Sequence, residues 1–322
     1  MIRLCITMVM AIFILLGLVG CGDHKDILCP GDDPRVVTVR FMWDKATEAD
    51  PAGMTAYFFP LGEGGRIWRF DISGRDGGNV EIPIGVYRFL AVNNDLPGVV
   101  FSGQDAYDSL TAHARNRAGS ETLSPTGMLY GASVEWVEVT PCGIAYTTQE
   151  GLVKECRQGL MRCYPDSLSC VYNVVFSNCK GLENMRSSIA IIDGIAPYEI
   201  VAPAIPEGEP SATAMQLYRI ETSPNTLAGT TTTFGIPAYH KPEVRLTLQV
   251  ERTDGTIVTK IIDVTDQVIN SINPRDVLII INGIEIPDGE IPDNPDGDVG
   301  IDVGVDGWES IEIEIGTVLP VV

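Results

Sequence analysis

Apolar and polar side chains begin to alternate at Val37. Val37, Val39, Phe41 and Trp43 fall on one side of an extended chain, and Thr38, Arg40 and Met42 on the other. A period of two in β-branched and aromatic residues marks a half-buried strand. The same pattern predicts strands around Thr55 to Pro60, over Ile67 to Ile72 and over Gly85 to Val92. Gly74-Arg75-Asp76-Gly77-Gly78 predicts a tight turn, because Asp-Gly supplies the positive φ angles of a hairpin. Asn79 to Ile84 is therefore expected to pair back on the strand before it. Tyr107, Leu110 and Ala114 stand at helical spacing, which makes residues 103–117 the best helix candidate. A polar loop follows over Gly119 to Gly127. Met128 to Val139 then predicts a strand in which Val134, Trp136 and Glu138 share a face, and Pro141 ends it.

Strand patterning continues through Leu168 to Ser177 and Ser187 to Ile195. Prolines at 197, 203, 206 and 210 predict a long surface connection. Val244, Leu246, Leu248 and Val250 alternate with polar residues, Thr253-Asp254-Gly255-Thr256 turns, and Ile257 to Ile261 returns. This is the clearest hairpin in the chain. Val277 to Ile281 and Ile284 to Ile286 add further strand character. Near the end, Ile311, Ile313 and Ile315 alternate with Glu312 and Glu314. A strand with one greasy face must pair with its own sheet or with another subunit, because an open apolar edge invites aggregation. Many short strands, regular turns and little helix predict β-sandwich architecture.

The first residues change this picture. Residues 4–20 carry no charge, about the length of a signal-peptide core and short for a membrane span. The run closes on Leu18-Val19-Gly20-Cys21, which resembles the lipobox of bacterial lipoproteins. Residues 1–20 are read as a signal peptide and Cys21 as the lipidated residue. Its diacylglyceryl and N-acyl groups would supply about three chains, enough for stable membrane attachment. Residues 21–34 are then a polar tether. The expected location is the outer membrane, lipid-anchored, with the body on the cell surface. Residues 35–155 and 156–290 are expected to form two domains of ordinary size, and 291–322 an acidic Gly/Asp-rich tail with a terminal strand.

The chain has 22 Lys+Arg against 43 Asp+Glu, a net of −21. Nucleic-acid binding is built on phosphate neutralisation by cations, so this balance excludes nucleic acid as an expected partner. Cys29, Cys142, Cys156, Cys163, Cys170 and Cys179 remain once Cys5 and Cys21 are set aside. The spacing C-x6-C-x6-C-x8-C from Cys156 matches no zinc pattern. Disulfides and buried free thiols both stay open.

The alternating VVTVRFMW strand after the lipobox, the GVYRFLAVNN strand, the segment CVYNVVFSNCKGLENMRSSIAIIDGIA and the terminal DGWESIEIEI together resemble the fimbrillin-like lipoproteins of Bacteroidetes. The resemblance covers most of residues 35–316. It implies an all-β fold of two transthyretin-like β-sandwich domains in tandem. It also implies a stalk, tip or anchor role in surface fimbriae, with other fimbrial subunits as partners. Assembly would proceed by strand addition, with Ile311, Ile313 and Ile315 as docking residues. No Lys or Arg stands out as a maturation site; Arg66, Arg69 and Arg75 are each available.

Catalytic patterns are scarce. His24, His113 and His240 are the only histidines, no G-x-S-x-G elbow occurs, and no Walker or G-x-G-x-x-G loop occurs. The expectation is a non-enzyme without cofactor or metal. Asp293, Asp296, Asp298, Asp302 and Asp306 form the one calcium candidate, but they fit no closed calcium loop and read as an acidic linker. Asp108-Ser109-Leu110 and Asp166-Ser167-Leu168 resemble a short O-glycosylation motif. The alternative function is a monomeric lipoprotein that binds a ligand such as glycan, for which Trp68, Trp136 and Trp308 are the available aromatics.

Overall fold

The computed structural model describes residues 34–62, 64–148, 151–156 and 159–287. Cys21, the tether, the acidic tail, Trp308, Ile311, Ile313 and Ile315 lie outside the described residues. What is described is nearly all β, with 3-10 turns at Tyr107–Ser109 and Leu182–Asn184 and one short α-helix at Thr265–Ile269. Two compact units emerge, and neither is a single run of chain. One takes residues 34–42, 53–90 and 133–164; the other takes 43–52, 91–132 and 165–287.

In the first unit the Pro34–Phe41 strand is the centre of a three-stranded sheet. It pairs antiparallel with Gly77–Pro83 and parallel with Leu160–Cys163. Val37, Val39 and Phe41 are buried, as the alternation requires. The larger sheet runs in the order Gly151–Cys156, Gly143–Thr148, Tyr130–Thr140, Gly85–Asn93, Gly53–Pro60, Trp68–Ser73. The ring of Phe58 meets those of Phe89, Tyr87 and Phe70 edge-on at centroid distances of 5.0, 6.0 and 6.1 Å. Edge-to-face rings pair the positive rim of one with the negative face of another.

The second unit holds a sandwich with one continuous core. One sheet runs Ser211–Gln216, Met185–Ile195, Arg245–Arg252, Ile257–Asp263. The other runs Tyr218–Ile220, Ser223–Thr233, Cys170–Ser177, Asp276–Asn282. Ala190, Ile192, Leu246, Leu248 and Val250 from the first meet Tyr172, Val174, Phe176, Val277 and Ile279 from the second in that core. Alternation on strands of both sheets fills the space between them. A small third sheet joins Val99–Ser102, Thr111–Ala114, Tyr198–Ile200 and Ile205–Glu207.

Four expectations are corrected. The helix over 103–117 is absent: a single 3-10 turn leads into the Thr111–Ala114 strand. Gly103 sits at φ +62°, and the Ser109 hydroxyl donates to the carbonyls of Gly103 and Ala106. Such side-chain bonds offer the backbone an alternative to a helix. Gly77–Pro83 does not pair with the strand before it; it crosses to Pro34–Phe41, while Trp68–Ser73 pairs with Gly53–Pro60. On Tyr130–Thr140 the buried positions beyond Ala132 are Val134, Val137 and Val139, so the face switches after Val134 and leaves Trp136 half-exposed. The Pro197–Pro210 connection contains a paired hairpin, and Glu199 within it is fully buried.

Candidate functional site

Unpaired sheet edges are where a β-sandwich can accept another strand, and the two sandwich sheets of the second unit have four of them among the described residues. Three are managed. The Ser211–Gln216 edge is covered by the segment at Leu123, whose N–H donates to the Ala212 carbonyl at 2.7 Å. The Leu123 carbonyl accepts from the Thr213 hydroxyl at 2.8 Å. The Asp276–Asn282 edge is closed at Ile280 by one side chain. Gln267, on the short helix, donates Nε2–H to the Ile280 carbonyl at 3.1 Å and accepts the Ile280 N–H on Oε1 at 2.9 Å. One amide thus satisfies both outward backbone groups of that residue. The Tyr218–Ile220 edge is only three residues long, and brevity is itself a defence against pairing.

The fourth edge differs. Ile257–Asp263 is seven residues long, and no strand of the described residues pairs with its outer side. Ile257 and Ile261 are 65% and 62% exposed. Ile261 ends an outward row that runs through Thr247 and Ile191 to Ala214 in register.

A cleft of about 320 Å³ opens at one end of the same sheet. A β-bulge between Asp193 and Ile195 shapes it, and bulges re-aim side chains at strand ends. Gly194 there has φ +92°, and a Cβ would stand 2.2 Å from the Glu243 carbonyl oxygen. Asp193, His240, Lys241, Glu243 and Arg245 line the cleft with Ile236 and Pro237. Glu243 lies 3.6 Å from Lys241 and 3.9 Å from Arg245.

His113, the other histidine weighed from sequence, is held by hydroxyls. Its Nε2 lies 2.8 Å from Ser102 Oγ and 2.9 Å from Thr111 Oγ1, and its ring rests 5.0 Å from that of Tyr198. Burial lowers its pKa, which favours the neutral ring. Across the same small sheet lies a group that sequence reasoning missed. Glu199 is fully buried, and Arg275 Nη2 reaches its Oε1 at 3.4 Å. Its Oε2 has no hydrogen-bond partner. Burial raises the carboxyl pKa to about 7, against the lowering effect of Arg275.

Cys163, Cys170 and Cys179 are buried free thiols, and Cys142 is an exposed one. Cys170 donates to the Pro274 carbonyl and Cys179 to that of Phe176. Burial pushes both thiols up to about 11, which keeps them protonated and unreactive. Of the glycosylation-like motifs, the Ser109 and Ser167 hydroxyls both already donate to backbone carbonyls. Trp68 is half-buried under the Arg66 guanidinium, 4.9 Å from its ring centroid. Arg69 lies 3.3 Å from Asp71 within the Trp68–Ser73 strand. The five candidate calcium aspartates from Asp293 to Asp306 lie outside the described residues.

Comparison with known proteins places this architecture. The family model described as Domain of unknown function (DUF5119) matches residues 20–208, more than half of the chain. The chain belongs to the DUF5119 family. This DUF5119 protein is 25% identical to a candidate fimbrium anchoring subunit, Fim4B, of Bacteroides ovatus, over 94% of this chain and 96% of the relative. Among solved structures it resembles a candidate adhesin from Bacteroides ovatus, with a TM-score of 0.60 and 19% identity, covering 89% of this chain and 99% of that one. It also resembles the fimbrial anchor protein Mfa2 from Porphyromonas gingivalis, with a TM-score of 0.51 and 14% identity, covering 83% and 95%. At such identities the likeness to solved structures is one of fold. The kinship with fimbrial proteins of Bacteroidetes expected from the sequence is therefore met, and so is the all-β class.

Proposed function

We propose that this DUF5119 protein is a structural component of the cell surface, a fimbrial anchor, stalk or tip or a related adhesive subunit. One observation carries the reading: nearly the whole chain aligns with nearly the whole of a candidate fimbrium anchoring subunit. A sandwich with edges closed individually, and with the Ile257–Asp263 edge unpaired among the described residues, supports it physically. Assembly is by strand addition, in which backbone hydrogen bonds supply affinity and alternate side chains supply register. Ile311, Ile313 and Ile315 are the donor residues in this proposal. Cys21 carries the lipid that holds the protein on the outer membrane, facing outward. The role is structural rather than catalytic.

The test is a denaturing gel of outer-membrane extract, unboiled and boiled, probed with an antibody to this chain. A high-mass ladder that collapses to one band on boiling, and that Ile313→Asp abolishes, is the expected result. A single band near the monomer mass under both conditions sinks assembly by strand addition.

The mixed cleft supports a second reading, a ligand-binding surface protein. Carboxylates and cations side by side match sugar hydroxyls, which both donate and accept, while either ionic ligand meets a like charge. Titrating the protein with a neutral polysaccharide, followed by tryptophan fluorescence and calorimetry, tests it. No heat and no spectral change removes it.

A further inference from the structure

The cleft beside the Asp193 bulge is a built surface, because its far wall is tied down along its length. The Ala196 N–H donates to the Gly235 carbonyl at 2.7 Å, the Ala238 N–H to the Pro206 carbonyl at 2.9 Å, and the Val244 N–H to the Thr265 hydroxyl at 2.8 Å. Gly194, with no Cβ, lets the Glu243 carbonyl come close from the other side. Walls held in advance cost a ligand little ordering entropy. We propose that this cleft binds the end of a neutral glycan chain, with Asp193 and Arg245 reading its hydroxyls and Ile236 and Pro237 meeting its C–H face. The proposal rests on the ligand-binding reading and deepens it: it moves the glycan site away from the tryptophans, gives it residues and limits it to uncharged sugar.

Strand register sets the central pair. Asp193 and Arg245 stand directly opposite each other on Met185–Ile195 and Arg245–Arg252, and both are exposed. Side chains so placed leave one face of the sheet about 5 Å apart. Asp193 accepts the Gly194 N–H on Oδ1 at 2.7 Å, which leaves Oδ2 as an acceptor for a ligand. Arg245 turns Nη2 to Glu243 at 3.9 Å and has further N–H donors to give. A sugar hydroxyl both donates and accepts, so it can give its proton to the carboxylate and take one from the guanidinium.

Charge in the cleft is cancelled rather than offered. Glu243 is shared by Lys241 at 3.6 Å and Arg245 at 3.9 Å. Arg245 also has Asp263 opposite it on its other side, in register. An anionic sugar would meet Asp193, Glu243 and Asp263, on a chain whose net charge is −21. A cationic one would meet Lys241 and Arg245. The volume of about 320 Å³ stands at the lower end of the roughly 300–1,000 Å³ usual for small-molecule sites. That room suits a chain end and not a chain interior.

The experiment is calorimetric titration of the full chain in a sugar-free detergent. The probes are neutral trisaccharides of glucose, galactose, mannose and N-acetylglucosamine, with trigalacturonate as the charged counterpart. At least one neutral trisaccharide should bind at a single site, at least ~10-fold more tightly than trigalacturonate. Asp193→Asn, whose amide oxygen can still accept the Gly194 N–H, and Arg245→Gln should each weaken that binding by ~10-fold or more. Their melting temperatures should be unchanged, since both positions are exposed. Trp68→Ala and Trp136→Ala should leave the affinity as it is. Full affinity in both cleft variants overturns the proposal, as does tighter binding of trigalacturonate. Binding lost with Trp68 or Trp136 and kept in the cleft variants overturns it while the ligand-binding reading stands. No heat with any neutral trisaccharide overturns both.

Discussion

Glu199 is the residue whose environment departs furthest from its chemistry. A carboxylate at zero exposure with one oxygen unpartnered is costly to ionise, and Arg275 at 3.4 Å offsets only part of that cost. The folded pKa of about 7 lies above the ordinary carboxyl value. The folded state therefore binds a proton more tightly than the unfolded chain does. Its contribution to stability is fully present below the unfolded pKa and is lost as pH rises through about 7. Thermal or urea unfolding between pH 5 and pH 8 should show the wild type losing up to ~3 kcal/mol more than Glu199→Gln. Parallel stability curves for the two proteins would show that Glu199 does not titrate in this range.

Among elements, the short helix Thr265–Ile269 does most for its size. It presents Gln267 to Ile280 and so closes a sheet edge with one side chain. Gln267→Ala should leave one N–H and one C=O at Ile280 without protein partners and cost about 1–2 kcal/mol in urea unfolding. It should also raise light scattering at high concentration, since a new pairing edge appears. Stability lost without increased scattering would make Gln267 a packing residue and not an edge guard. Elsewhere the elements explain why pattern reading stumbled. Tyr107, Leu110 and Ala114 are spaced as on a helix, yet two of them are buried from a turn and its flank rather than from a helical face. Spacing over so few residues does not separate the two outcomes.

For the whole molecule, the proposed lipid at Cys21 makes a prediction of its own: Cys21→Ser should move the protein from the membrane fraction to the soluble fraction without changing its melting temperature. Retention in the membrane fraction after carbonate washing would remove Cys21 as the anchor. The sequence by itself determined many of the strand positions, because period-two alternation at Val37–Phe41 and Leu246–Val250 is a local property that burial merely uses. It also determined the all-β class and the kinship with fimbrial proteins. Only the tertiary structure decided which strands are neighbours. Gly77–Pro83 looks like the return arm of a hairpin but pairs with Pro34–Phe41, and Asp276–Asn282 runs parallel to Cys170–Ser177 across about a hundred residues of chain. Such choices depend on non-local packing that no window of sequence contains. The same holds for the sites. Nothing near Glu199 signals burial, since Pro197 and Pro206 read as surface connection, and nothing near Gln267 signals an edge. Their roles come from the backbone groups and side chains that folding brings against them, at Arg275 and at Ile280.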